Sequence, residues 1–269
     1  MFRIAVISLV GLLAAPVGAQ SFEFAAPVQE IQISPSEAET VVVGFTIAQI
    51  EGVLAETQGF AMGVAHDPAM LTVDSIDYGA GVISDQWGEP DIFITNAHVG
   101  GWTCGVVFAH LGNWTVEFPV PLAAIDITYS VDPALPLPSE AELTWSSQLG
   151  TPPVSNVIVV SGASLSVALA DGALSFVPVS FIRGDMNGDG GINIADIFTA
   201  EEYLFLGGDT PGCLAALDSN GDGAIDIGDI IYELSYLFLG GDPMPAPFPA
   251  CGPLTEDSEV GCEESQCTS

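Results

Sequence analysis

The sequence has almost no basic residues. Lysine and arginine together number 2, against 35 aspartates and glutamates, and the formal net charge is −33. A surface of that sign repels nucleic acid and anionic membrane, so neither is expected as a partner. Histidine is scarce too: His66, His98 and His110 are the only three. There is no Gly-x-Ser-x-Gly, no His-Glu-x-x-His and no phosphate-binding loop, which removes the commonest hydrolase and nucleotide motifs. Beyond residue 19 no run is apolar and long enough for a membrane span of about 20 residues.

The first 19 residues read as a secretory signal. Arg3 supplies the positive start, residues 4–15 the apolar core, and Val17-Gly18-Ala19 a small-residue cleavage site. No cysteine follows, so a lipid anchor is not expected. The expectation is a secreted protein, extracellular or at the cell surface. The remaining 250 residues (269 minus 19) suit two domains.

What the chain does have is a stretch that occurs twice. Asp185-Met-Asn-Gly-Asp-Gly-Gly-Ile-Asn-Ile-Ala-Asp196 returns 33 residues later as Asp218-Ser-Asn-Gly-Asp-Gly-Ala-Ile-Asp-Ile-Gly-Asp229. Of the 25 positions from 185 to 209, 16 equal their counterparts, which makes this a duplication. Each copy has the pattern of a calcium loop. Calcium takes several hard oxygen ligands, from loop positions 1, 3, 5, 7, 9 and 12. In the first loop these are Asp185, Asn187, Asp189, the Gly191 carbonyl, Asn193 and Asp196. In the second they are Asp218, Asn220, Asp222, the Ala224 carbonyl, Asp226 and Asp229. Gly190 and Gly223 hold position 6, where the chain turns sharply. Ile192 and Ile225 at position 8 suit back-to-back pairing of the loops. Two calcium ions are therefore expected; the alternative is an acidic, glycine-rich turn with no metal. After each loop the apolar spacing predicts a helix, ending at Gly207-Gly208 and at Gly240-Gly241.

Two loops with aspartate at position 12, each followed by one outgoing helix, resemble dockerin type I modules. The resemblance covers residues 183 to about 250, leaving 251–269 as an acidic, cysteine-containing tail. It implies calcium binding and docking onto a cohesin module, in another chain or in a second copy of this one. By the same resemblance, loop positions 10 and 11 touch the partner; here they are Ile194 and Ala195, then Ile227 and Gly228. Cellulosomal dockerins often carry serine and threonine there. The alternative for both isoleucines is to turn inward onto the preceding domain.

Residues 20–178 have another character. Short β-branched runs, broken by Gly, Pro, Asp and Asn, lie at 28–33, 40–47, 60–65, 71–76, 91–96, 104–110, 123–131, 141–145, 157–160 and 174–177. With no helix of ten residues between them, they predict a mainly β fold: an antiparallel β-sandwich of jelly-roll type, followed by the small α module. Val41-Val-Val-Gly-Phe-Thr-Ile47, Gly59-Phe-Ala-Met-Gly-Val-Ala-His-Asp-Pro-Ala-Met-Leu71 and the closing run Gly162–Phe176 resemble a cohesin or its carbohydrate-binding relatives. About six mostly apolar residues link the two domains, so the modules are placed to pack together.

Candidate chemistry in the sandwich is thin. His98 and His110 flank Cys104, but neither spacing is that of a metal or nucleophile motif, and a buried thiol on a strand is the simpler reading. Glu89, Asp91 and Glu117 are acidic candidates with no pairing pattern. Of the five cysteines, Cys213–Cys251 and Cys262–Cys267 are the favoured bridges, with Cys104 left over. Two functions remain. One is a non-catalytic assembly protein whose sandwich binds a protein or a glycan. The other is a polysaccharide-active or carbohydrate-binding protein anchored by its calcium module, with Trp87, Trp102, Trp114 and Trp145 as the glycan platform; for each tryptophan the alternative is core packing.

Overall fold

A computed structural model describes residues 20–34, 39–82, 89–108, 115–255, 260–263 and 265–267. The signal segment, His110, Trp87 and Trp114 lie outside them. Period-two burial builds the first domain. Val43, Phe45 and Ile47 on one strand, and Ile125, Ile127, Tyr129 and Val131 on its neighbour, point to one side and are buried, while the residues between them are more exposed.

Among the described residues it has thirteen strands: β1 (Ser21–Ala25), β2 (Val28–Ile33), β3 (Thr40–Glu51), β4 (Thr57–Ala65), β5 (Leu71–Tyr78), β6 (Ile92–His98), β7 (Gly101–Val107), β8 (Leu122–Val131), β9 (Ser139–Trp145), β10 (Val157–Val160), β11 (Ala163–Ser166), β12 (Ala168–Ala170) and β13 (Gly172–Pro178). Each of the ten runs read from the sequence overlaps one of these strands within the described residues. β1 was not among them, although Phe22 and Phe24 alternate in it. One sheet has the order β12-β1-β3-β8-β5. In the other, β4 pairs with β7 along one edge and with β10 and then β9 along the other. β6 extends the β7 side, and β13 and β2 extend the β9 side. Phe22, Phe24, Phe45, Met62, Trp102 and Phe176 fill the space between the sheets.

Two pairings depart from the antiparallel expectation: β1 with β12 and β2 with β13 are parallel. The physical reason is a shared crossing. The chain passes from one sheet to the other at Ala26-Pro27, and the closing chain does so beside it at Asp171-Gly172. Ala26 N–H donates to Ala170 O at 2.9 Å and Ala173 N–H to Pro27 O at 3.0 Å. A Cβ on Gly172 would stand 2.2 Å from Pro27 O, so the close approach demands glycine.

The linker is not a tether. Val179 and Phe181 are buried with Cys213, Ala215, Leu254 and Cys262 in a core of the second domain. β14 (Ser180–Phe181) pairs with β15 (Gly252–Pro253). The described residues of the stretch read as a tail are thus folded back. Gln266 N–H donates to Ser180 O at 2.9 Å, Glu263 N–H to Gly212 O at 2.7 Å, and Ser34 Oγ–H in the sandwich to Cys262 O at 2.5 Å.

The disulfide pairing expected from the sequence is corrected. All four cysteines are bridged and Cys104 is free, but the bonds are Cys213–Cys262 and Cys251–Cys267. The returning chain sets residues 261–263 against 212–215, which places Cys262 opposite Cys213. Pairing between strands distant in sequence overrides the short spacing of Cys262 and Cys267.

Candidate calcium loops and docking face

Helix α1 (Ile194–Glu201) starts at the end of the first loop, and α3 (Ile227–Leu234) at the end of the second; α2 (Leu214–Leu217) is one turn just before the second loop. Asn193 and Asp226 cap α1 and α3 through full capping boxes, closed by Asp196 and Asp229. Each helix runs on through a widened turn to a left-handed glycine, Gly207 or Gly240.

The loops repeat one another bond for bond. Asp185 Oδ1 accepts from Asp189 N–H at 3.0 Å, and Asp218 Oδ1 from Asp222 N–H at 3.0 Å. Asp196 Oδ1 accepts from Asn187 N–H at 3.2 Å and its Oδ2 from Asn193 N–H at 2.8 Å. Asp229 does the same with Asn220 at 3.3 Å and Asp226 at 2.9 Å. Asn187 and Asn220 each donate through Nδ2 to the position-5 carboxylate at 2.9 Å. Gly190 and Gly223 both have φ of 82°, the positive value expected of the sharp turn.

This folding buries charge. Asp185, Asp196, Asp218 and Asp229 are all buried. Burial pushes the Asp185, Asp196 and Asp229 carboxyls above the usual range, and neighbouring loop carboxylates add to it against the amide hydrogen bonds. Among the described residues no three His, Cys, Asp or Glu side chains converge as a ready cage. The oxygens instead face their own loop's amides, while the donor set remains all oxygen: carboxylates, asparagine amides and the position-7 carbonyl. That set fits a hard divalent cation of calcium's size.

Two further polar residues touch the loops. Arg183 Nη1 donates to the Asp218 carbonyl and to Asp218 Oδ2, the latter at 3.1 Å. Glu233 on α3 is wholly buried and pushed up to about 8, by burial first and then by Asp196. Sequence reasoning missed both; their only signal was charge at positions whose repeat counterparts, Ala216 and Ala200, are apolar. Ile225 packs toward Met186, Ala200 and Leu217, while Ile192 lies beside Gly184.

Ile194 and Ile227 do not turn onto the sandwich. They are 42 % and 56 % exposed, with Ala195 and Gly228 half-buried next to them. Each begins a duplicated apolar stripe: Ile194, Phe198, Phe205 and Leu206 on one repeat, Ile227, Ile231, Phe238 and Leu239 on the other, all exposed. Residues 183–231 match the dockerin type I domain. The match spans both loops and the first turn of α3.

No curated protein matches the chain. Among solved structures it is similar to the seventh ScaB type I cohesin from Pseudobacteroides cellulosolvens, at 12% identity, a TM-score of 0.45, and coverage of 58% of this chain and 92% of that one. It is also similar to CaCohA2 from Clostridium acetobutylicum, at 14% identity, a TM-score of 0.44, and coverage of 59% and 92%. A third is the sixth cohesin of scaffoldin B from Acetivibrio cellulolyticus, determined with a dockerin, at 14% identity, a TM-score of 0.44, and coverage of 58% and 99%.

Ahead of the dockerin module, the sandwich shows little chemistry. Cys104 is in the core, where burial pushes its thiol up to about 12, so it is not a nucleophile. It pairs in register with Thr95, while His98 lies opposite Gly101 and bonds Thr103 Oγ1 at 3.1 Å. Glu89, Asp91 and Glu117 are exposed. Trp102 is fully buried and donates to Tyr129 OH at 2.9 Å. Trp145 packs on Phe24 and donates to Ala170 O at 2.8 Å. Trp102 is a core residue, Trp145 is half-buried against the core, and neither forms a platform. The outer face of β6, β7, β4 and β10 instead carries an apolar groove of about 600 Å³, with Gly59, Ala61 and Gly105 between Ile92 and Ile94 on one side and Val157 and Val159 on the other. Among the described residues no helix is long and apolar enough to cross a membrane.

Proposed function

We propose that the protein is a secreted, non-catalytic assembly protein. Its dockerin module holds two calcium ions and docks onto a cohesin-like module, in another protein or in a second copy of this chain. In each loop, positions 1, 3, 5 and 12 supply side-chain oxygens, Gly191 or Ala224 a carbonyl, and Asn193 or Asp226 acts through water. Calcium would neutralise the buried carboxylates and lock the helix start that each loop caps, so binding energy becomes folding energy.

The observation that carries the docking is the duplicated stripe. Eight large apolar side chains in two equivalent sets are left in water, where covering them gains about 25 cal/mol per Å². Ile194, Ala195, Ile227 and Gly228 stand at its loop ends. The groove on the sandwich supports a protein partner over a glycan there, because glycan platforms use exposed aromatic rings and this groove has a glycine and alanine floor between isoleucine and valine sides. A calcium-dependent pull-down from the native secretome tests the reading. Changing Ile194 and Ile227 together to Asp is expected to abolish capture while calcium stoichiometry stays at two. A double variant that binds as well as the parent, or one that loses calcium and unfolds, overturns it.

A further inference from the structure

The groove on the sandwich follows from strand register. Ile94, Gly105, Ala61 and Val157 stand opposite one another across β6, β7, β4 and β10, and Ile92 and Val159 flank them one row on. The two isoleucines form one wall and the two valines the other, three strand spacings apart, or about 14 Å. An α-helix with its side chains is about 10–12 Å across, so one helix fits between the walls. The floor is kept bare at Gly105. That residue has no positive φ, and a Cβ there would meet nothing within 4 Å. The fold itself does not require this glycine. Glycine inside a strand weakens it and marks a place where another chain comes close. Gly59 differs: its Cβ would stand 2.2 Å from Val106 O, so the fold does require it.

Charge narrows the occupant. Among the described residues no charged side chain lines the groove, although the chain carries −33 overall. The one described basic side chain, Arg183, is buried. Two copies thus have no exposed Lys or Arg to offer each other among the described residues, and they meet favourably only where both surfaces are uncharged. The stripes of the dockerin module meet that condition, since Ile194, Phe198, Phe205 and Leu206 and their repeats are exposed and apolar. Ile92 and Ile94 are exposed in the same chain, so its own module does not cover the groove. We propose that the groove between β6 and β10 receives a helix of the dockerin module of a second copy, so that the protein assembles head to tail with itself. This rests on reading that module as a calcium-dependent docking unit. Groove and stripe lie on different domains, so the contact is heterologous. Every added copy brings a further groove and a further stripe, and assembly continues past the pair.

Light scattering of the full chain in saturating calcium, over a concentration series, tests this. The parent is expected to grow past the mass of a dimer and to return to monomer in chelator. Sodium chloride should strengthen the assembly, because it screens like charge and leaves apolar contact in place. Gly105→Val fills the floor of the groove, and Phe198→Asp with Ile231→Asp puts charge on both stripes. Each variant alone is expected to stay monomeric. Mixed, the two are expected to form a one-to-one pair and nothing larger, since one keeps the stripes and the other the groove. Urea unfolding checks that Gly105→Val is folded; Gly105→Ala, one methyl group, replaces it if it is not, and should weaken assembly in the same direction. A parent that stays monomeric in calcium overturns the proposal. So does growth that either variant leaves unchanged, growth that salt weakens, or a mixture that gives no pair. A monomeric parent whose calcium-dependent pull-down still recovers a partner, lost with the stripe variant, leaves the docking reading standing; an empty pull-down as well overturns that reading too.

Discussion

Arg183 Nη1 lies 3.1 Å from Asp218 Oδ2, and the same guanidinium donates through Nε to Ala246 O at 3.3 Å. The single described basic side chain of this acidic protein is thus spent inside the dockerin module, tying the entry chain to the first residue of the second loop and to the returning segment. Removing one partner of a buried pair leaves an uncompensated charge. Arg183→Met is expected to destabilise the calcium-free module by about 3 kcal/mol. Chemical denaturation followed by helical circular dichroism reads it.

Chelation is the simplest perturbation. Each loop carries three or four carboxylates within twelve residues, so metal removal should loosen α1 and α3 while the sandwich stays folded. Circular dichroism in chelator should lose helical signal and keep the strand signal. Asp185→Ala and Asp218→Ala should each lower the calcium stoichiometry from two to one.

The buried carboxyls also set a pH dependence. Asp185, Asp196 and Asp229 are raised chiefly by burial, and Glu233 reaches about 8. A raised carboxyl means that the folded form keeps protons the unfolded form releases. That stability is fully present below the unfolded-state value of about 4 and is lost as pH rises through the folded values. In chelator, the module's melting temperature should fall between about pH 5 and about pH 8. Saturating calcium should flatten or reverse the trend.

The bridges make a mapping prediction. Peptide mass spectrometry without reduction should recover Cys213 joined to Cys262 and Cys251 joined to Cys267. Loops of 49 and 16 residues correspond to about 4 and about 3 kcal/mol of unfolded-state entropy. Reduction should therefore lower the melting of the dockerin module and spare the sandwich.

Gly172→Ala probes the crossing that closes both sheets. The added methyl would meet the Pro27 carbonyl, so the paired chains must separate at the point where β1 and β12 give way to β2 and β13. A loss of about 1–3 kcal/mol in sandwich stability is expected, as for overpacking elsewhere, with the calcium stoichiometry unchanged. Urea unfolding monitored by tryptophan fluorescence checks it, since Trp102 lies in that core and Trp145 packs against it.

Much of this was legible in the sequence. Local patterns carried the two loops, because a calcium loop is twelve consecutive residues whose spacing is itself the ligand geometry. The stops at Gly207 and Gly240 are local for the same reason. Alternation of Val43, Phe45 and Ile47 marked a strand because burial in a sheet has period two. The exposed isoleucines at 194 and 227 were singled out, but Phe198, Ile231, Phe205 and Phe238 were not; helical periodicity alone does not say which apolar face the fold covers.

What only the tertiary structure decided depends on residues far apart in the chain. The Cys213–Cys262 bridge follows from 261–263 returning beside 212–215, a pairing no spacing encodes. The parallel partners of β1 and β2 follow from two chain crossings that meet at Pro27 and Gly172. Arg183 and Glu233 read as ordinary charges in sequence. They become neighbours of the second loop, at Asp218 and Ser219, only in the folded module, since burial and proximity, which set the strength of a charge, are properties of the folded chain.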